Sequence, residues 1–131
     1  MPKNKYLLFA IIWFLLTVYG LLFRTPSDMT QLPFPHFDKF THMALFFGQF
    51  WLLSKVYLTE NRYPPFKIFV LMFVSWAVIS EVLQGTLTQT RSAEVLDAIA
   101  DMVGASLALL VARYVHSLKI RIVQLRENMA D

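Results

Sequence analysis

Four long apolar runs constrain this chain more than any other feature. They cover about 6–23, 40–58, 66–87 and 95–115, and polar or proline-rich breaks separate them. At 1.5 Å rise per residue each run reaches about 27–33 Å, the thickness of a bilayer's hydrocarbon core. Prolines 26, 33 and 35 oppose helix in the first break, and Pro64-Pro65 ends the second. The third break, 88–93, is a polar turn in which Ser92 suits a helix N-cap and Glu94 the first helical turn. Lys3 and Lys5 before the first run resemble a signal peptide. That run is long for one, however, and Arg24-Thr25-Pro26 follows it in place of a small-residue cleavage site, so it reads as a retained span.

Composition agrees with a membrane setting. Of the 131 residues 56% are hydrophobic and 16% charged, with mean hydropathy +0.50. A soluble domain is nearer 45–50% apolar and about a quarter charged. A net charge of +3, with no basic groove, gives nucleic-acid binding no support. The absence of cysteine excludes disulfides, thiolate metal sites and Cys nucleophiles. The fold class expected is an all-α membrane protein forming a single domain over 1–131. It has four transmembrane helices at about 6–23, 38–58, 66–87 and 94–115. Residues 116–131 form a cytoplasmic tail, in which Leu118, Ile122 and Leu125 are spaced to lie on the membrane surface.

Four spans put both termini on one side. That side collects Lys3, Lys5, Lys55, Arg62, Lys67, Arg113, Lys119, Arg121 and Arg126; the other holds only Arg24, Lys39 and Arg91. The positive-inside rule places both termini in the cytoplasm.

Charges inside such runs are costly, by roughly 2.5 kcal/mol or more each, so the polar exceptions are informative. Asp38, His42 and Gln49 share one face of the second helix, and Glu81 and Gln84 one face of the third. On the fourth helix Asp97, Asp101, Gly104, Ala108 and Ala112 form one stripe, whose lower part is a small-residue seam for close helix approach. With the expected orientation, His42, Glu81, Gln84, Asp97 and Asp101 fall in one layer beneath the outer surface, with Lys39 and Arg91 at its mouth. Plainer readings stand beside this one. Asp38 and His42 suit a helix-start ion pair, Lys39 suits snorkelling, Glu81 suits a structural network, and Asp97 complements a helix dipole. Gln49 suits an interhelical hydrogen bond, and the aromatic residues suit packing and lipid contact.

These residues resemble the VanZ-like family. The resemblance rests on Asp38-Lys39-Phe40-Thr41-His42, on Glu81-Val82-Leu83-Gln84, and on Arg91 followed by Asp97-Ala98-Ile99-Ala100-Asp101-Met102-Val103-Gly104. It covers about 35–112. The departure is Asp101, where many members carry Asn. The resemblance implies a multi-pass protein of the bacterial cytoplasmic (inner or plasma) membrane with an envelope role, the family's name coming from resistance to the glycopeptide teicoplanin. It supplies no reaction.

Three functions follow as expectations. One is an extracytoplasmic-side pocket for an envelope lipid, a lipid-linked phosphate or a cell-wall precursor. Lys39 and Arg91 would hold anionic oxygens, and Asp38, His42, Glu81, Gln84, Asp97 and Asp101 would line the rest. A second is an enzyme on a lipid-linked phosphate, in which His42, Glu81, Asp97 and Asp101 serve as acid–base groups or ligate a divalent cation. The third is a transporter or proton relay, which needs an oligomer because the inner half of the chain is apolar. The partners expected are the lipid bilayer and such a lipid, with no nucleic acid.

Overall fold

The computed structural model describes residues 4–23, 37–87 and 94–131. Those residues form four helices: α1 (Lys5–Leu22), α2 (Phe37–Leu58), α3 (Phe66–Leu87) and α4 (Val95–Ala130). Three of them, α1, α3 and α4, are long and apolar enough to cross a membrane. Their outward faces carry large apolar side chains, such as Leu15 at 62% exposure and Leu71 at 68%. Apolar surface on that scale needs a covering phase.

The polar second helix occupies a different place. Along α2 only Phe40 and Ala44 are exposed. Its residues His42, Phe46, Phe50, Ser54 and Leu58 are buried in a strict spacing of four. This face meets α4, and that pairing is the most extensive in the molecule. Protein on most sides explains how α2 carries Asp38, Lys39, His42, Gln49 and Lys55 and is too polar to match the other three helices.

The α4 side of the seam is built from small residues. Ala105, Ala108 and Ala112 are wholly buried, and Gly104 lies against the backbone carbonyl of Met43. Below the seam the core is aromatic, with Phe50 meeting both Phe69 and Phe73 edge-on. Helix α1 is tied to α2 at two levels. The Trp13 Nε1–H donates to the Leu45 carbonyl (2.8 Å), and Asn4 Nδ2 donates to the Val56 carbonyl (2.8 Å). The tryptophan thus packs between helices.

Helix α4 extends well past the expected span. It continues without a break through 116–131 to Ala130, 36 residues in all, or about 54 Å. No Gly or Pro follows Gly104, so nothing in the sequence stops the helix at the membrane surface. Lys119 Nζ donates to the Leu58 carbonyl (2.8 Å), fixing this extension to the end of α2. The expected cap at Ser92 lies outside the described residues. The N-cap position is Glu94, whose backbone is extended (φ −121°, ψ 124°).

Candidate functional site: a buried carboxylate–histidine centre

Three helix ends bring the site together. His42 stands in the second turn of α2, Glu81 two turns before the end of α3, and Asp97 and Asp101 in the first two turns of α4. All four are buried, with exposures of 1%, 7%, 6% and 0%. Asp97 and Asp101 reach α2 because they lie on the same stripe as Gly104, which sets the close approach of the two helices.

The imidazole is held from one side. His42 Nδ1 lies 2.9 Å from Asp101 Oδ1. An ionised carboxylate only accepts, so with Asp101 ionised Nδ1 carries the proton, and in the neutral form of the ring Nε2 presents its lone pair. That Nε2 faces Asp97 Oδ2 at 3.7 Å, beyond hydrogen-bond distance. The other oxygen of Asp97, Oδ1, accepts from Lys39 Nζ at 3.2 Å. Asp97 therefore divides its two oxygens between the lysine and the space beside the histidine.

Glu81 does two things as well. Its Oε2 accepts the backbone N–H of Glu94 (2.9 Å), so a carboxylate from α3 caps α4 across the helix–helix gap and complements its positive end. Its Oε1 is buried with no partner among the described residues. His42 Nε2 and Asp101 Oδ2 are buried in the same condition, as is Gln49 Oε1 elsewhere. A buried polar atom left unpaired costs about 1–3 kcal/mol, and three of these four lie in one centre.

Lys39 is already engaged. Its ammonium lies 2.9 Å from Glu94 Oε2, 3.2 Å from Asp97 Oδ1 and 3.6 Å from Asp38 Oδ2. Against the expectation that it grips an incoming anion, it is wrapped by protein carboxylates. Among the described residues the local balance is acidic: Asp38, Glu81, Glu94, Asp97 and Asp101 set five carboxylates against one ammonium. With the acids ionised and the imidazole neutral, four negative charges are in excess.

The sequence-based site is thus brought together at His42, Glu81, Asp97 and Asp101, with Asp38 and Lys39 at its edge. Gln84 is buried on the expected face, but its Nε2 donates to the Leu21 carbonyl (2.8 Å), so it fastens α1 to α3. Arg91 lies outside the described residues. Glu94 was missed as a site residue, although its spacing of three from Asp97 and seven from Asp101 places all three on one helix face. Gln49 lies apart, in an apolar groove with Phe14, Leu71 and Trp76. Toward the Leu58 end, the Phe46, Phe50, Phe69 and Phe73 cluster closes off the polar layer, which disfavours a relay path through one copy.

In chemical terms the centre offers an imidazole, with a lone pair in its neutral form, and several carboxylate oxygens in a buried setting, suited to a cation or to hydroxyl and amine donors. One ligand atom from each of His42, Glu81 and Asp97 lie within 4.8 Å of one another. No protein-family model, no curated protein and no solved structure matches this chain.

Proposed function

We propose that this chain is a VanZ-like protein of a bacterial cytoplasmic membrane. Its buried layer of His42, Glu81, Asp97 and Asp101 takes the headgroup of a lipid-linked phosphate or cell-wall precursor at the extracytoplasmic side. The observation that carries this reading is the set of unpartnered buried atoms, His42 Nε2, Glu81 Oε1 and Asp101 Oδ2, in one centre. A network kept only for stability would pair them. An acidic layer does not receive a phosphate unaided, so headgroup hydroxyls or amines, or a cation between phosphate and carboxylates, make the contact. A tie to teicoplanin resistance follows from the family resemblance alone.

The test uses a polyprenyl monophosphate in nanodiscs with a divalent cation supplied to bridge phosphate and carboxylates. Wild-type protein is expected to bind it, and His42→Ala to bind it at least roughly tenfold more weakly, the scale of one lost polar contact of about 1.4 kcal/mol. Equal affinities would remove the centre from this role.

The topology proposed has four spans, with α2 crossing inside the bundle, and both termini in the cytoplasm. The support is the excess of nine Lys and Arg on the terminal side against three on the other. A chain without cysteine is a clean background for single-cysteine labelling. Glu60→Cys and Asp131→Cys are expected to react only from the cytoplasmic side, and Phe23→Cys only from outside. The reverse pattern would move the centre to the cytoplasmic leaflet.

A further inference from the structure

We propose that His42, Glu81 and Asp97 form a three-ligand seat for one divalent transition-metal cation, with Asp101 as the residue that turns the imidazole toward it. The inference rests on reading this layer as a ligand site and names the ion that the layer holds.

Distance comes first. One ligand atom of each residue falls within 4.8 Å of the others. Nitrogen and oxygen ligands at about 2.0–2.2 Å from a common ion stand roughly 3–4 Å apart, so side-chain shifts under about 1 Å close the seat. The second argument is the division of atoms within each group. The imidazole has Nδ1 fixed by Asp101 and Nε2 unpartnered. Glu81 has Oε2 fixed by the Glu94 N–H and Oε1 unpartnered. Asp97 has Oδ1 fixed by Lys39 and Oδ2 turned toward His42 Nε2. Each side chain is thus anchored through one atom and offers the other, and outer partners of this kind orient metal ligands. His42 is 1% exposed and Glu81 7%, so solvent does not explain their free atoms. Charge is the third argument, since with the acids ionised a dication offsets half of the four-charge excess among the described residues.

The donor set selects the ion. One imidazole nitrogen with two carboxylate oxygens favours Mn²⁺ or Zn²⁺ over Mg²⁺ and Ca²⁺, which prefer all-oxygen surroundings. Three protein ligands leave coordination positions open, where a phosphate or hydroxyl oxygen of the headgroup fits.

The experiment titrates chelator-stripped, full-length protein in detergent with Mn²⁺ and reads the free ion by EPR. Wild type is expected to bind one equivalent. His42→Ala, Glu81→Gln and Asp97→Asn are each expected to weaken binding by roughly 100-fold or more, while Asp101→Asn keeps the stoichiometry and weakens it about 10- to 100-fold. Glu60→Gln, at an exposed acid away from the seat, is expected to match wild type. Circular dichroism checks folding, and the near-isosteric Glu81→Gln stands if His42→Ala does not fold. Binding well short of one equivalent, or seat variants equal to wild type, would overturn the proposal. Polyprenyl monophosphate binding at full affinity by a protein that seats no Mn²⁺ would sink the cation and leave the headgroup reading intact. One seated Mn²⁺ with no polyprenyl monophosphate binding would do the opposite.

Discussion

Replacing Gly104 by alanine is expected to destabilise the folded chain by about 3 kcal/mol, the upper end of the usual range for overpacking. In a chain of this size that is a melting-temperature drop on the order of 10 °C in a fixed detergent. A Cβ at Gly104 would overlap the Met43 carbonyl and crowd the Met43 carbonyl carbon and Cα. Those atoms are backbone inside α2, so no side-chain rotamer relieves the collision and the two helices must separate. The seam between α2 and α4 is the largest in the molecule, and it carries Ala105, Ala108 and Ala112 on the same helix. Separation there loosens every contact below it, and above it pulls Asp97 and Asp101 away from His42. Gly104→Val is expected to leave no monodisperse folded protein.

Gly20 supplies the control. A Cβ there meets nothing within 4 Å, and alanine is a better helix former than glycine by about 1 kcal/mol. Gly20→Ala is therefore expected to be neutral or mildly stabilising. Gly104→Ala melting alongside Gly20→Ala would mean that the close approach of α2 and α4 does not exist.

The contrast between these glycines marks what the sequence made legible. Gly104 was identifiable as an interface position because Asp97, Asp101, Ala108 and Ala112 share its face at spacings of three and four, a consequence of 3.6 residues per turn. For the same reason the apolar run 66–87 matches α3 at both ends. Periodicity assigns faces but does not name partners. Asp38 and His42 are one turn apart, yet Asp38 lies by Lys39 and His42 turns to Asp101, 59 residues away. The Glu81–Glu94 contact joins a side chain to a backbone N–H, and every residue type but proline offers that donor. Gln84 likewise finds a backbone carbonyl on α1. The central position of α2 was hidden because its polar residues lower its hydropathy, whereas burial depends on which helices surround it.

Asp101 is where pairing and charge can be separated by experiment. Asp101→Ala is expected to cost about 3–5 kcal/mol, the range for removing one partner of a buried pair, whereas Asp101→Asn is expected to stay within about 1 kcal/mol of wild type. The side chain is wholly buried, and Oδ1 receives the His42 Nδ1–H at 2.9 Å. Alanine removes that acceptor, strands the N–H in a dry interior and leaves a void beside it. Asparagine keeps an oxygen for the same N–H, puts an NH₂ where Oδ2 has no partner among the described residues, and removes one negative charge. A thermal double-mutant cycle with His42→Ala isolates the pair. A coupling of about 2 kcal/mol is expected, within the range for residues in contact; none at all would mean that α2 and α4 are not joined by this bond. If asparagine proves as damaging as alanine, the negative charge itself is what His42 requires. The ring would then be an imidazolium with no lone pair at Nε2, and the seat for a cation would be lost with it.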